Sequence, residues 1–429
     1  MRINDRLTPH KLLRKIERLW ELSAAKIRSI ERNYDATKGS PVFTVRGKYT
    51  TRGWTEWTQG FQYGSVILQY DATGKTPPED FRNRVAVVMT PHVSHFGVHD
   101  HGFNNISTYG NLLRLMNEGR IAENRWERSC YELALKISGA TQARRWTKTA
   151  DGGGFMYSFN GPHSLFVDSI RSLRSLAVAH KLGHVLMEEN DRKVSLFDRL
   201  KQHALAIAKY NVRPDGSVAH EAIFNVNDGN FRCPNSQQGW SPFSTWTRGL
   251  AWAMLGYAEQ LEFAKSEVTP VMLKAARATC DFYIEKATAA DGIPYWDTGA
   301  PLLHQLGDWQ SRPADPFNDF EPVDSSAAVI AAQGLLRLGH YLKNKHYWQA
   351  GLTVLDTLFD EPYLSTDPEH QGLILHSVYH RPNQWDYVPR GRKVPCGESS
   401  MWGDYHAREV ALYVQRIANG QPYLTFWGG

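Results

Sequence analysis

Two aspartates stand at the starts of predicted helices and can form a catalytic pair. Asp100 and Asp168 are 68 residues apart and fall on successive helices whose composition predicts an interior position. Two carboxylates held close together titrate at different pH values, which leaves one protonated and one ionised near neutral pH. Acid and base roles can be divided in this way. The helix dipole favours ionisation at these positions, so the sequence leaves open whether burial and like charge prevail over it.

A second polar and aromatic group lies in the stretch 236–260. Arg248 and Trp252 fall one turn apart on a predicted helix, and Gln238 and Trp246 stand just upstream. A guanidinium group beside an indole suits a ligand that carries both a carboxylate and a sugar ring. The alternative is that the aromatic side chains fill the core and Arg248 makes a structural ion pair.

The helix that carries these residues has a predicted start and a predicted contact face. Ser244 or Thr245 is expected to cap it. Gly249, Ala253 and Gly256 fall at i, i+4 and i+7, and a stripe of small residues lets a neighbouring helix approach closely.

Helical spacing recurs along the chain in pairs, each an outer helix with a charged face followed by an inner helix of small and apolar residues. Outer helices are predicted near 9–32, 79–91, 123–138, 190–210, 268–287 and 344–358. Inner helices are predicted near 54–70, 100–117, 165–181, 245–262, 323–338 and 398–416. Six such hairpins can close into an all-α (α/α)6 barrel. Short β insertions at its mouth are expected at 152–158, 216–220 and 292–296.

Composition narrows the class of protein. We expect the 429 residues to form a single barrel domain, 1–429. The net charge of +5 is spread along the chain without a basic block, which argues against nucleic-acid binding. The 14 Trp suit stacking on sugar rings.

Cysteine usage and hydropathy bear on the compartment. The four Cys show no disulfide or zinc spacing, which predicts free thiols. The chain shows no apolar run typical of a signal peptide or a membrane span. We expect a cytoplasmic monomer or homodimer, or a periplasmic protein if a leader has been removed.

Four histidines around Asp100 suggest a metal site at first inspection. His92, His95, His99 and His101 lie within ten residues of one another. The first two stand near the end of an outer helix, where His commonly interacts with terminal carbonyls. We therefore favour a loop that lines the pocket without a metal, and we expect no cofactor.

Other residues at predicted inner-helix starts have simpler interpretations. Asp324 and Asp404 are predicted to cap their helices, because Asp is favoured at that position. Trp57, near the start of the first inner helix, is a candidate for sugar binding.

Several segments resemble the unsaturated glucuronyl hydrolases of glycoside hydrolase family 88. The resemblance is seen first in segment 245–253, together with Gln238 and His220 upstream of it. Segment 98–103 resembles the family's His-Asp-x-Gly-Phe motif, and segment 165–170 resembles the one that contains its acid/base aspartate. Further matching stretches follow in the family's order at 57–61, 292–297, 323–328, 372–376 and 402–405. The resemblance runs from about residue 50 to about residue 415 and implies the same barrel.

The resemblance also implies roles for individual residues. Asp168 corresponds to the catalytic acid/base and Asp100 to its partner. The implied substrate-holding residues are His220, Gln238, Trp246, Arg248, Trp252, Trp57 and His99. Ser169 and Ser172 stand where the family usually has Asn, and Leu250 replaces a common Gln, so the substrate preference is open while the reaction type is unaffected.

The implied reaction is hydration of an enol ether. Polysaccharide lyases leave a 4,5-unsaturated uronic acid at the non-reducing end of an oligosaccharide, which is the expected partner of this chain. Asp168 would give a proton to C4 and then, as a base, help water add at C5. The resulting hemiketal opens and releases the neighbouring sugar.

Three other functions fit part of the pattern. An inverting hydrolase of saturated glycosides needs carboxylates about 6.5–9.5 Å apart. A hydrolase of unsaturated rhamnogalacturonan or ulvan fragments is the alternative most easily confused with this one, although the context of Asp100 argues for the glucuronyl branch. A saccharide-binding protein would leave the paired carboxylates unexplained. Arg171, Arg174 and Lys393 are candidate anion contacts for a sulfated substrate, or structural charges.

Overall fold

The computed structural model describes residues 1–52, 56–75 and 81–426. The helices are α1 (Pro9–Asn33), α2 (Gln59–Thr73), α3 (Phe81–Val93), α4 (His101–Asn105), α5 (Asn111–Asn117), α6 (Arg125–Arg144), α7 (Ser169–Ser172), α8 (Arg174–Lys181), α9 (Leu196–Tyr210), α10 (Thr247–Phe263), α11 (Thr269–Phe282), α12 (Ser325–Leu342), α13 (Lys345–Leu358) and α14 (Met401–Ala418). The strands are β1 (Phe43–Val45), β2 (Lys48–Thr50), β3 (Trp146–Lys148), β4 (Gly154–Met156), β5 (Ser164–Phe166), β6 (Leu186–Met187), β7 (Lys193–Val194), β8 (Glu221–Phe224) and β9 (Phe231–Asn235).

The predicted alternation of outer and inner helices is confirmed. The inner helices are α2, α4 with α5, α7 with α8, α10, α12 and α14, and the outer helices are α1, α3, α6, α9, α11 and α13. A π-helical turn, Ile106–Gly110, joins α4 to α5. The fold is the (α/α)6 barrel that the sequence predicted. The first residues of the helices predicted at 54–70 and 79–91 lie outside the described ranges.

Burial separates the two helix layers for a simple reason. The outer helix α1 buries a stripe that includes Leu12, Ile16 and Leu19, and most of its charged residues are exposed, with Lys26 as a buried exception. The inner helix α10 is buried from Thr247 to Leu261, because neighbouring helices cover it on all sides. Apolar patterning along the chain thus assigns each helix to a layer.

Two predicted helices start later than expected. Segment 165–181 opens as the strand β5, because residues 164–166 pair antiparallel with β8, and helix begins only at Ser169. Segment 190–210 opens with β7, which pairs with β6, and α9 begins at Leu196. Both errors have the same cause: a local hairpin or sheet takes backbone hydrogen bonds that a helix would use.

The β insertions are shorter than predicted. Residues 154–156 form β4 and pair with β3. Segments 216–220 and 292–296 contribute only isolated bridges, such as Val212 with Val218 and Tyr295 with Val323.

The predicted caps of α10 are wrong. Its N-cap residue is Trp246, which makes no side-chain capping bond. Ser244 is instead part of a turn with Ser241, and the Thr245 hydroxyl accepts a hydrogen bond from the Val218 amide at 3.1 Å. The Thr247 hydroxyl donates to the Tyr295 carbonyl at 2.8 Å, so the helix start is fixed by the neighbouring strand-like segment.

Close helix contacts bring the ends of α4 and α7 together. A Cβ added to Gly102 of α4 would lie 2.5 Å from the Cα of Ser172 in α7. One added to Gly256 of α10 would lie 2.6 Å from the Ile170 side chain, as the stripe of small residues predicts. A real Cβ cannot approach other atoms so closely, so these contacts require glycine. The contact at Gly102 also keeps α4 close to α7, and with them the residues that precede each helix.

A layer of buried ion pairs lies between the inner helices. Arg171 contacts Glu259 at 3.1 Å and Glu409 at 2.6 Å, and Arg174 lies 3.6 Å from Glu409. Both arginines are therefore structural and are unavailable to a sulfate group. Lys393 is exposed and lies 3.4 Å from Asp319.

Two general expectations can be compared with the structure. All four Cys lie in the described residues and carry free thiols, as predicted. Among the described helices, none is long and apolar enough to cross a bilayer. The single domain 1–429, the monomer or homodimer, and the cytoplasmic location stay predictions.

Candidate active site

The two aspartates predicted to form a pair both lie near one ring nitrogen of His99. Asp100 directly precedes α4 and Asp168 directly precedes α7, and neither carboxylate caps its helix. His99 Nε2 lies 3.2 Å from Asp168 Oδ1 and 3.9 Å from Asp100 Oδ1. All three side chains are almost completely buried. The close contact at Gly102 between α4 and α7 makes this arrangement possible.

Electrostatics give the two carboxylates different titrations. Burial raises the pKa of Asp100 above its ordinary value, and the charge of Asp168 raises it further against the opposing effect of His99. Burial also raises the pKa of Asp168, but the hydrogen bond and charge of His99, with His220 and Arg248, outweigh it and lower that pKa. Asp100 is therefore the more readily protonated of the two carboxylates.

His99 carries the positive charge of this group. Burial lowers its pKa, but the charge of Asp100 and the hydrogen bond to Asp168 prevail and raise it above its ordinary value of 6.5. Below this raised pKa the ring is an imidazolium, and its Nε2 proton lies one hydrogen bond from Asp168. His99 Nδ1 has no hydrogen-bond partner within the described part of the chain.

These groups open onto a cavity of about 590 Å³, part of it continuous with solvent. Its walls combine the acidic residues with aromatic side chains and amides. The lining residues are Trp57, His99, Asp100, Phe103, Phe159, Asp168, Gln237, Gln238, Trp246, Arg248, Trp252, Tyr379, His380, Asn383 and Trp385. Flat apolar walls with a few polar groups suit a sugar ring.

Arg248 lines the cavity, but its donors are held by the protein. Its Nη2 donates to the Tyr379 carbonyl at 2.7 Å and to Gln238 Oε1 at 2.9 Å. Its Nη1 donates to the Val378 carbonyl and to Asp324 Oδ2, the latter at 3.3 Å. The guanidinium therefore positions Gln238 and supplies positive charge, in place of the free fork that the sequence suggested.

Indole rings hold this guanidinium on two sides. Its carbon lies 4.6 Å from the ring centre of Trp246 and 4.7 Å from that of Trp402. Cation–π contacts of this kind are strong when desolvated. Arg248 is fixed in place.

His220 lies behind the cavity wall and not in its lining. Its Nδ1 accepts hydrogen bonds from the backbone amides of Gln237 and Gln238 at 3.0 and 3.3 Å. Burial lowers its pKa to about 4, so the ring is neutral and its proton is on Nε2. Nε2 has no acceptor in the described ranges. His220 fixes the backbone that carries both glutamines.

The predicted indole walls are present. Trp57 stacks on Trp402 with ring centres 5.1 Å apart, and Trp252 packs against Phe103 at 4.9 Å. Trp57 is partly exposed at the cavity, whereas Trp252 is almost buried beneath it. Trp57 is the better placed of the two for stacking on a ring.

Sequence reasoning missed one wall of the cavity. This wall is one loop between the helices predicted near 344–358 and 398–416, and it contributes Tyr379, His380, Asn383 and Trp385. Phe159 and Gln237 were missed as well. The presence of Tyr379, His380 and Trp385 within seven residues was an available signal, but only the folded loop shows that it faces the aspartates.

The histidine run separates into two environments. His99 faces the cavity, whereas His92 contacts Gln59 Oε1 at 2.6 Å and His101 contacts Ser138 Oγ at 3.0 Å in a buried polar layer. Burial lowers the pKa of His92 to about 4 and that of His101 to about 3. Within the described residues, no group of three or more His, Cys, Asp or Glu is placed to hold a metal ion.

Comparison with known proteins agrees with the motifs. An unsaturated glucuronyl hydrolase of Formosa agariphila is 27% identical over 364 residues, covering 84% of this chain and 80% of that protein. One from a Bacillus species is also 27% identical, over 88% of this chain and 90% of its own length. No family model matches the chain.

A solved structure establishes the fold. The crystal structure of an unsaturated glucuronyl hydrolase specific for heparin matches with a TM-score of 0.74 at 20% identity, covering 97% of this chain and 99% of that one. The resemblance read from the motifs is confirmed, and the chain is similar to hydrolytic enzymes over most of its length.

Proposed function

We propose that this chain, a relative of the unsaturated glucuronyl hydrolases, removes 4,5-unsaturated glucuronic acid from the non-reducing end of lyase-generated oligosaccharides. The observation that carries the proposal is the pairing of Asp100 and Asp168 about His99 at an aromatic-lined cavity. A site that only bound sugar would have no need to bury two carboxylates, because each costs desolvation energy.

In the proposed reaction Asp168 is the acid and then the base. It gives its proton to C4 of the unsaturated ring, and positive charge develops at C5 and the ring oxygen. Water adds at C5 and returns a proton to Asp168. The hemiketal formed in this way opens and releases the neighbouring sugar, so one water is consumed and the carboxyl group is restored.

Asp168 must gain a proton before it can act as an acid, although its pKa is lowered. That pKa, which burial raises, is held down by the hydrogen bond and charge of His99 and by the charge of Arg248. The carboxylate of a bound uronate adds negative charge to the same cavity and offsets these cations. We infer that substrate binding raises the pKa of Asp168 and that His99 Nε2, 3.2 Å away, supplies the proton.

The contacts of the other site residues indicate their roles in the proposed reaction. Asp100 holds His99 in its charged form through its own negative charge. Gln238, oriented by Arg248, is one of the cavity amides that can bind the polar groups of the substrate. Trp57 and Trp246 offer faces to the sugar ring.

The test is a panel of unsaturated disaccharides made by lyases from heparin, chondroitin and hyaluronan. We expect loss of the ultraviolet absorbance of the double bond, because hydration removes it. Matched saturated disaccharides with the same linkage are the control. Cleavage of the saturated compounds at a similar rate would favour an inverting hydrolase and overturn the proposal.

A second panel addresses the nearest alternative reaction. Unsaturated rhamnogalacturonan and ulvan fragments are expected to react more slowly than the glycosaminoglycan disaccharides. A reversed order of kcat/KM would assign the chain to the sister activity.

A further inference from the structure

A second cavity lies between α1, α2, α3 and α14, and it shares no lining residue with the active-site cavity. It has about 910 Å³ of space, part of it continuous with solvent. Most of its wall is apolar, and the apolar lining residues are Ile27, Ile30, Val66, Val88 and Met401. The part of this space that the protein encloses can hold a small organic molecule.

Arg408 of α14 brings a buried positive charge to this wall. Its side chain is 1% exposed, and it donates from Nε to Ser23 Oγ at 2.8 Å and from Nη1 to Ser65 Oγ at 3.3 Å. Its Nη2 has no acceptor among the residues that the structure describes. A buried charged donor without a partner is costly.

Carboxylates nearby do not neutralise this guanidinium. Asp404, one turn earlier on α14, directs its oxygens to the Leu373 and Ile374 amides and to Tyr49. Within the described chain, the hydrogen bonds of Arg408 go to the hydroxyl groups of Ser23 and Ser65 and not to a carboxylate. Burial accordingly lowers the pKa of Arg408, against the weaker effects of Asp404 and Tyr49.

The other charged groups of the cavity neutralise each other. Glu31 Oε1 lies 2.8 Å from Arg84 Nη2, and both residues are on the more exposed side of the lining. Because Glu31 is paired with Arg84, it does not neutralise the buried charge of Arg408. The cavity therefore has one buried cationic group and an apolar wall, a combination complementary to an anion that carries an apolar chain.

We propose that this cavity is a binding site for a small aliphatic monocarboxylate, whose carboxylate pairs with Arg408 and whose chain lies against Ile30, Val66 and Val88. A single negative charge matches the single uncompensated guanidinium. Carboxylates accept hydrogen bonds from guanidinium groups in a planar arrangement that suits the free Nη2.

The first experiment uses the intact protein and three probes of equal length: hexanoate, hexanol and hexylammonium. Isothermal titration calorimetry should give a dissociation constant for hexanoate at least about tenfold lower than for hexanol, because only the carboxylate pairs with the cation. Hexylammonium should bind more weakly than hexanol. Equal binding of hexanoate and hexanol, or no binding of hexanoate, would overturn the proposal.

The second experiment locates the anion. Arg408→Met should reduce hexanoate affinity to the level of hexanol while hexanol affinity changes by less than about threefold, because the apolar wall is intact. Arg408→Lys keeps the charge and should retain the preference for hexanoate. Hexanoate binding that is unchanged in Arg408→Met would place the anion elsewhere and overturn the assignment.

A third variant keeps the test decisive if loss of Arg408 prevents folding. Val88→Phe, on the partly exposed helix α3, narrows the cavity without touching the guanidinium. We expect at least about a fivefold loss of affinity for both hexanoate and hexanol. Full retention of hexanoate binding in Val88→Phe would exclude this cavity as its site.

Discussion

Two pairs of aspartates occupy similar positions in the barrel and have opposite surroundings. Asp100 and Asp168 precede α4 and α7 without capping them, and both face a cavity. Asp324 caps α12 through the Ser326 and Ala327 amides. Asp404, in the first turn of α14, accepts from the Leu373 and Ile374 amides, Ser399 and Tyr49.

The difference shows what frees a carboxylate for chemistry. Hydrogen bonds from backbone amides hold Asp324 and Asp404 as structural acceptors. The carboxylates of Asp100 and Asp168 instead interact with one ionisable imidazole, so their proton affinity depends on what enters the cavity. The prediction of a cap is confirmed for Asp324 and wrong for Asp404, because Ser400 is the N-cap of α14.

Replacing Asp168, the proposed acid of the first pair, should reduce activity more than any other change. We expect Asp168→Asn to lower kcat on an unsaturated disaccharide by about 10²–10⁴-fold, because general acid/base catalysis contributes that much. Circular dichroism and thermal unfolding should show an intact fold. Near-normal turnover would remove Asp168 from the reaction.

Changing the protonation of His99, which lies near both carboxylates, should have the next largest effect on activity. Because the pKa of His99 is raised above 6.5, the imidazolium and its pairing with Asp168 are complete below that pH and are lost as the pH rises through the folded pKa. We expect kcat/KM to fall over the same alkaline range.

The matching variant is His99→Gln, which keeps a hydrogen-bond donor but has no proton to release. It should lower kcat by about 10–100-fold and remove the alkaline decline, since the titrating group is gone. A pH profile of unchanged shape would mean that another group supplies the proton.

Moving α4 away from α7, the two helices that follow Asp100 and Asp168, should have a smaller effect on activity. A Cβ at Gly102 would lie 2.5 Å from Ser172 Cα, so Gly102→Ala must move α4 away from α7. We expect a loss of about 1–3 kcal/mol in the free energy of unfolding and a fall in kcat larger than the change in KM. Gly119→Ala, which would meet no atom within 4 Å but has a φ of 67°, is the control for backbone strain alone.

Changing the second pair should affect activity least. Asp404→Asn keeps the shape of the side chain but weakens its bonds to the Leu373 and Ile374 amides. The free energy of unfolding should fall by about 1–3 kcal/mol, measured by urea denaturation, while kcat per folded molecule stays within about twofold. A loss of kcat comparable to that of Asp168→Asn would erase the distinction between the two pairs.

Helix patterning was accurate because it depends on neighbours in sequence. Alternating charged and apolar faces predicted the inner and outer layers, and most helix ends fell within a few residues of prediction. The errors at β5 and β7 came from pairing with segments such as β8, which spacing along the chain does not reveal.

The candidate site was predictable in its residue types and not in its contacts. The motifs identified Asp100, Asp168 and Trp57 as cavity residues, and the structure brings them to one cavity. They did not identify the wall formed by Tyr379 and Trp385, because that loop meets the aspartates only after the barrel closes.

The sequence by itself determined the helix layers, the resemblance and the pair of aspartates, since these follow from residue types at fixed spacing. Only the tertiary structure decided which carboxylate holds a proton more readily and which cation is free. Arg248 is bound by protein groups and Arg408 is left with an unfilled donor, although both are buried arginines on inner helices. Proton affinity and unfilled hydrogen-bonding capacity depend on every group within a few ångströms, and those groups come from helices far apart in the chain.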